Sequence, residues 1–288
     1  IERPTQPFRV TYICSNLALA NENRKKLAVF SDDLAKKYVR EPSFGRLVEL
    51  AARERHGADG QLLEVCSLTP STSFSLTNSD GNVWERHILF QCLIRHNILK
   101  PYRPVLDRLM RSEVKQSTWD TRERWFQSWY ELNDDLVDEF LSDLEAEVSL
   151  SEDLADWLEV SGCSYLDALQ AIGHRLSGCL PDDSEKTWNE LLGSAAGAAS
   201  DVSSASFYRL RSELRTRLAK TCARHIRADL FILDEFQRFD SLLDMSTDSE
   251  NALIAQEVFK RDSPGKILLL SATPFKALSR IEEDEVEA

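Results

Sequence analysis

No apolar run in these 288 residues approaches the roughly 20 that a membrane-spanning helix needs. The chain also opens without the basic stretch and apolar segment of a secretory leader, so a soluble, cytoplasmic protein with no membrane partner is expected. The six cysteines (Cys14, Cys66, Cys92, Cys163, Cys179 and Cys222) are scattered and form no C-x-x-C pair, which argues against a zinc site or a disulfide framework. The five histidines (His56, His87, His96, His174 and His225) show no metal-ligand spacing and read as structural. No internal repeat is present. Basic residues are also short: 35 Lys and Arg face 48 Asp and Glu, a net charge of −13, which at first argues against a nucleic-acid binder.

Divided along the chain, that charge changes meaning. Residues 1–60 carry +3, residues 61–130 +2, residues 131–200 −15 and residues 201–288 −3. One 70-residue stretch therefore supplies more than the whole negative excess, as expected of an inserted module. The stretch 1–130 is mildly basic, and the objection to nucleic acid does not apply to it.

Four short apolar runs read as buried parallel strands: Phe8–Cys14, Leu62–Leu68, Asp229–Leu233 and Lys266–Leu270. After the first, Leu27, Phe30, Leu34 and Tyr38 recur on one helical face closed by Pro42, so a strand–helix–strand unit of an α/β sheet is expected. Between Leu89 and Arg227 no strand pattern is evident. Leu132, Leu136, Phe140 and Leu144 recur at helical spacing, and Ala205–Arg227 carries the stripe Phe207, Leu210, Leu214, Leu218 and Cys222. Gly193–Ser206, small and polar, reads as a loop.

The chemistry concentrates at strand ends. Asp234-Glu235-Phe236-Gln237-Arg238 follows the apolar Leu230–Leu233, where open α/β sheets bind ligands. Alone, an acidic pair there is a common strand-capping turn. A second strand, Ile267–Leu270, runs into Ser271-Ala272-Thr273-Pro274-Phe275 about 35 residues later. Together and in this order, the two resemble the Walker B motif and the S-A-T motif of superfamily 2 helicases and translocases. Val10–Asn16 with the following Leu17–Leu27 is similar to motif Ia of bacterial members. Leu68–Phe74 (LTPSTSF), with Gly81, Glu85 and Arg86, is similar to their motif Ib region. The relatives in question are helicase-like ATPases resembling chromatin remodellers, often found near restriction or phage-defence genes.

The resemblance implies a RecA-like parallel sheet flanked by helices and interrupted by a large, mainly helical insertion. The implied division is 1–95 and 206–288 for the lobe and 96–205 for the acidic insertion. It implies ATP and Mg2+ as cofactors and DNA as partner, with other defence proteins as further partners. Asp234 would help hold Mg2+ and Glu235 would be the base for the hydrolytic water. Gln237 stands where the family carries His or Asp; it can sense the γ-phosphate by hydrogen bonding but cannot titrate. Ser271 and Thr273 would couple nucleotide state to the DNA track, with Arg238 either in that network or a local ion-pair partner. Ser15, Asn16, Thr69, Ser71 and Thr72 would contact nucleic-acid phosphate; at Ser15 and Asn16 a helix N-terminus would favour the anion, although simple N-capping accounts equally for those residues.

The family pattern also demands a P-loop, G-x-x-x-x-G-K-[ST], and it is absent from these residues. Ser263-Pro264-Gly265-Lys266-Ile267 lacks the second glycine and precedes a strand instead of following one. The expectation is an excerpt that starts at the motif Ia strand, with the P-loop and second lobe supplied elsewhere. Alone, it would hydrolyse ATP poorly if at all. A different class of function, a catalytically inactive helicase-like module that binds a protein through the acidic insertion, stays open beside it.

Two features of the insertion have competing readings. The basic run Ala205–Ala228, seven cations against the single acid Glu213, could follow a phosphate backbone or pack against the acidic stretch 131–200; proximity in sequence favours the latter. Trp119, Trp125 and Trp129 could form a base-stacking platform. The i, i+4 spacing of Trp125 and Trp129 predicts instead that they form a core face.

Overall fold

The computed structural model describes residues 7–14, 22, 39–40, 46–54, 62–68, 81–148, 150–160, 162–178, 188, 204–226, 228–234 and 265–270. Its strands are β1 (Phe8–Ile13), β2 (Val39–Arg40), β3 (Ala52–Glu54), β4 (Leu63–Leu68), β5 (Tyr130–Leu132), β6 (Glu147–Val148), β7 (Cys163–Ser164), β8 (Leu230–Asp234) and β9 (Lys266–Leu270). The helices are α1 (Val83–Leu93), α2 (Arg103–Arg111), α3 (Gln116–Trp129), α4 (Asp134–Asp143), α5 (Glu152–Leu158), α6 (Tyr165–Ser177) and α7 (Ser204–Arg224). The chain divides into two compact units, one of residues 1–47, 57–75 and 223–288, the other of 48–56 and 76–222. The second unit thus takes in residues 48–56, 76–95 and 206–222, which the expected division places in the sheet-bearing parts.

The first unit is an α/β-type parallel sheet in the order β2-β4-β1-β8-β9. All four apolar runs read from the sequence are in it, and every pairing is parallel. Val10 registers with both Val65 and Leu230, and Ile13 with both Leu68 and Leu233. Because strand side chains alternate, Val10, Tyr12 and Cys14 share one face, and they pack with Val65 and Ile232 into a core extended by Leu63 and Leu230. β9 departs from the expectation of burial. It is one of the two outermost described strands, and Ile267, Leu268, Leu269 and Leu270 are 39–51% exposed. The helix expected over Leu27–Tyr38 lies outside the described residues, as does most of the Gly193–Ser206 loop.

The second unit is helical, with two small antiparallel ladders, β3–β5 and β6–β7. β5, β6 and β7 interrupt the stretch in which no strand was expected, because two or three residues cannot display a period. Leu132, expected on the helical stripe, belongs to β5, and Leu136, Phe140 and Leu144 are fully buried on and just after α4. α1 starts with a reciprocal cap: Asn82 accepts from the Glu85 amide at 2.9 Å, and Glu85 accepts from the Asn82 amide at 2.9 Å. Ser164 and Asp167 repeat that arrangement on α6. In α7 the predicted stripe Phe207, Leu210, Leu214, Leu218 and Cys222 is buried.

The basic run of α7 is drawn into this unit. Arg211 and Arg215 are almost fully buried, and Arg215 Nε meets Glu85 Oε1 at 3.4 Å, both side chains at most 2% exposed. Arg217 lies over the Tyr165 ring at 4.5 Å, and Tyr165 donates to Glu213. Tyr165 belongs to the acidic stretch 131–200, and two hydroxyls of α7 reach it as well: Thr221 donates to Asp143 at 3.1 Å and Ser206 to Asp153. Packing within the unit is thus realised, with an arginine partner, Glu85, that lies outside residues 131–200.

Candidate functional site

In a parallel sheet every strand delivers its carboxyl end to the same edge. Here that edge receives the ends of β1, β4, β8 and β9, the strands that lead into the four motif-like segments. The strand that follows β1 in sequence, β2, lies on the β4 side of the sheet, whereas the one that follows β8, β9, lies on the opposite side. The connections therefore diverge between β1 and β8. A divergence of this kind opens a crevice beyond the strand ends, the usual ligand position in open α/β sheets.

Asp234 stands at this point. It is the last residue of β8, registered with Leu270 and one step beyond the Ile13–Leu233 pairing. Phe231, Ile232 and Leu233 before it are buried, while Asp234 is half-buried, so its carboxylate lies at the rim of the core. Tyr12, only 2% exposed, donates its hydroxyl hydrogen bond to Asp234 Oδ2. The register explains the contact: Tyr12 is opposite Ile232, and Asp234 is two residues further along the same face. Tyr12 lies within the motif Ia-like segment, but its reach to Asp234 becomes legible only once the β1–β8 register is known.

At the opposite edge the same strands are tied by polar contacts. The Arg9 amide donates to Asp229 Oδ2 at 2.7 Å, the Asp229 amide to the Arg9 carbonyl at 2.8 Å, and Arg9 Nε pairs with Glu64 at 3.4 Å. These contacts fix the relative height of β1, β4 and β8, and through it the position of Asp234 beside Tyr12.

Of the candidate site residues, Asp234 is the one described; from the motif Ib-like segment Gly81, Glu85 and Arg86 are described as well, and all three belong to the helical unit. Glu235, Gln237 and Arg238, Ser15 and Asn16, Thr69, Ser71 and Thr72, and Ser271 and Thr273 lie outside the described residues. Four of them, Ser15, Thr69, Glu235 and Ser271, are next in sequence after the described residues Cys14, Leu68, Asp234 and Leu270 at that edge. Among the described residues no group of three or more His, Cys, Asp or Glu could hold a metal ion. A single half-buried carboxylate held by a tyrosine hydroxyl nevertheless fits Mg2+, which keeps several waters and takes one or two carboxylates together with phosphate oxygens.

The helical unit holds a second polar centre. Glu123 on α3 accepts from His87 Nε2 at 2.9 Å, Gln91 Nε2 at 2.6 Å, Gln127 Nε2 at 2.7 Å and Arg103 Nη2 at 3.0 Å. The His87 hydrogen bond first, then the His87, Gln127 and Arg103 interactions, outweigh partial burial and bring the Glu123 pKa down to about 2. The fully buried His87 ring stacks on Trp84 at 5.9 Å and meets Trp119 edge-on at 5.0 Å, which suits a structural role.

On α3 the expected core face is corrected. Trp119 and Phe126 are buried, but Trp125 and Trp129 are 51% and 60% exposed. The core face runs through Trp119, Glu123 and Phe126, and a carboxylate in its middle disguises it as a polar face in sequence. Spacing of four residues establishes that two side chains share a face and leaves open which face is buried.

Comparison of the chain with protein-family models, curated proteins and solved structures finds no match. Among the described residues no helix is long and apolar enough to cross a membrane.

Proposed function

We propose that the chain is the first RecA-like lobe of an ATP-driven DNA translocase or helicase acting in bacterial defence against foreign DNA. The observation that carries this reading is Asp234, a strand-end carboxylate at the divergence between β1 and β8. It is supported by the parallel sheet, which sends all four motif-bearing strands to one edge.

In this reading Asp234 holds Mg2+, through water, and Tyr12 keeps the carboxylate oriented. Mg2+ bound with ATP supplies neutralisation of the phosphate charge. Glu235 accepts the proton of the attacking water, and Gln237 hydrogen-bonds toward the γ-phosphate. Ser271 and Thr273, with Arg238, pass the nucleotide state to Ser15, Asn16, Thr69, Ser71 and Thr72 on the DNA phosphates. The P-loop and an arginine finger, which in related NTPases is worth about 10³–10⁵ in rate, come from segments beyond these residues.

The lack of G-x-x-x-x-G-K-[ST] here favours one second reading, a catalytically inactive module that binds a protein partner through the acidic helical insertion. One experiment separates the two. In the protein that joins this chain to a P-loop segment and a second lobe, Glu235→Gln is expected to abolish DNA-stimulated ATP hydrolysis while nucleotide binding persists. Unchanged turnover overturns the motor mechanism, and no ATP binding in the unsubstituted protein favours the interaction module.

A further inference from the structure

The face of α3 that the sequence had assigned to the core is exposed, and its composition is unusual for a solvated face. Spacings of three and four residues align Lys115, Thr118, Arg122, Trp125 and Trp129 along one side of the helix and its first residue boundary. Trp125 and Trp129 are 51% and 60% exposed, Lys115 is exposed, and the Arg122 guanidinium lies over the Trp125 ring at 4.9 Å. No carboxylate belongs to this stripe. Glu123 points inward to His87 and Gln91, and Asp120, on another face, accepts from Gln116 at 2.7 Å. Neither Lys115 nor Arg122 has a carboxylate partner among the described residues. In a chain of net charge −13, two large aromatic rings and two cations without an acid form a local reversal of charge.

We propose that this stripe binds single-stranded nucleic acid, with two successive bases stacked on Trp125 and Trp129 and the phosphates on the side of the helix N-terminus paired with Arg122 and, about 15 Å along the helix from Trp125, Lys115. Four residues of helix advance the rings by about 6 Å, so neighbouring unstacked bases of an extended strand can each meet one ring. Indole faces accept any base, and guanidinium and ammonium groups beside them supply the phosphate contact that such sites combine with stacking. The missing carboxylates distinguish this face from the rest of an acidic unit, where a polyanion would be repelled. The choice of nucleic acid as ligand class rests on the motor reading of the sheet unit; the stacking geometry and the charge reversal stand apart from it.

The test uses the full chain, without nucleotide, and the anisotropy of an end-labelled fifteen-residue oligothymidylate at low salt. The chain is expected to bind it. Trp125→Leu and Trp129→Leu should each weaken binding roughly 5- to 150-fold, the range of one base–aromatic stack. Trp125→Phe and Trp129→Phe, which keep a π-face, should retain most of the affinity, and Arg122→Gln should flatten the salt dependence. Both tryptophans are exposed, so thermal melting of these variants should match the parent chain. The proposal is overturned if the chain does not bind the oligonucleotide, if Leu and Phe variants bind equally well or lose binding equally, or if a duplex of the same length competes as effectively. ATP hydrolysis takes no part in the measurement. Tryptophan-dependent binding alongside a Glu235→Gln protein with unchanged turnover would overturn the motor mechanism alone.

Discussion

The sheet unit and the helical unit solve the same problem, holding polar groups at defined places, in opposite ways. In the sheet unit charged groups lie at the two edges. Arg9, Glu64 and Asp229 tie the strands at one end, Asp234 sits at the other, and Val10, Cys14, Val65 and Ile232 pack between. In the helical unit charges are pulled inside: Arg215 and Glu85 pair with at most 2% exposure, Arg211 is almost fully buried, and Glu123 binds a buried histidine. A strand-end carboxylate half in water stays accessible to a ligand, whereas a buried pair is committed to its partner. The contrast explains how the first unit can keep a carboxylate open to a ligand, although among the described residues the second contains more ionic contacts.

The comparison can be broken from the helical side first. Arg215→Met removes the buried cation that faces Glu85, with an expected cost of about 3–5 kcal/mol. Amide exchange should speed up in α1 and α7 while β1 and β8 keep their protection; equal loss in both units would mean that they do not hold their charges independently. Gly173→Ala is next. A Cβ there would fall 2.6 Å from Tyr102 Cβ and 2.3 Å from Cγ, atoms too close to the backbone to swing away. The expected cost is about 1–3 kcal/mol of overpacking, read from a lower thermal midpoint. A smaller effect is expected on the sheet side. Tyr12→Phe removes the hydrogen bond to a half-exposed carboxylate, at about 1–2 kcal/mol, and should leave exchange in the helices unchanged.

The smallest effect is pH-dependent. Glu123 has its carboxyl lowered from 4.5 to about 2 in the folded chain. A depressed folded-state pKa contributes stability above the unfolded value and loses it as pH falls toward the folded one. Denaturant midpoints should therefore decline between about pH 4.5 and pH 2, and Glu123→Gln should flatten that part of the profile. Solvent around Glu123 keeps the amplitude modest.

How much of this was legible in sequence differs between the units. Short apolar runs, two of them continuous, marked all four principal strands, and side-chain periodicity marked α4 and α7, because burial on a regular element imposes a period. Partner identity was not legible. Tyr12 meets Asp234 through a register between strands more than 200 residues apart, and local spacing carries no record of that. Glu123 was misleading for the converse reason. A satisfied carboxylate in the core face of α3 looks like a surface residue, so the exposed tryptophans were assigned inward. As for the candidate site, most of the residues that the sequence points to lie outside the described residues, and Asp234 is where that reading meets described structure.

The aromatic distribution has a practical consequence. All six tryptophans, Trp84, Trp119, Trp125, Trp129, Trp157 and Trp188, belong to the helical unit, and the sheet unit has none. Intrinsic indole emission is therefore an optical probe of one half of the chain. An unfolding curve followed by emission reports the helices and is silent about the strands that end at Asp234, whereas circular dichroism registers both. Disagreement between the two curves would measure how far one half can melt while the other persists.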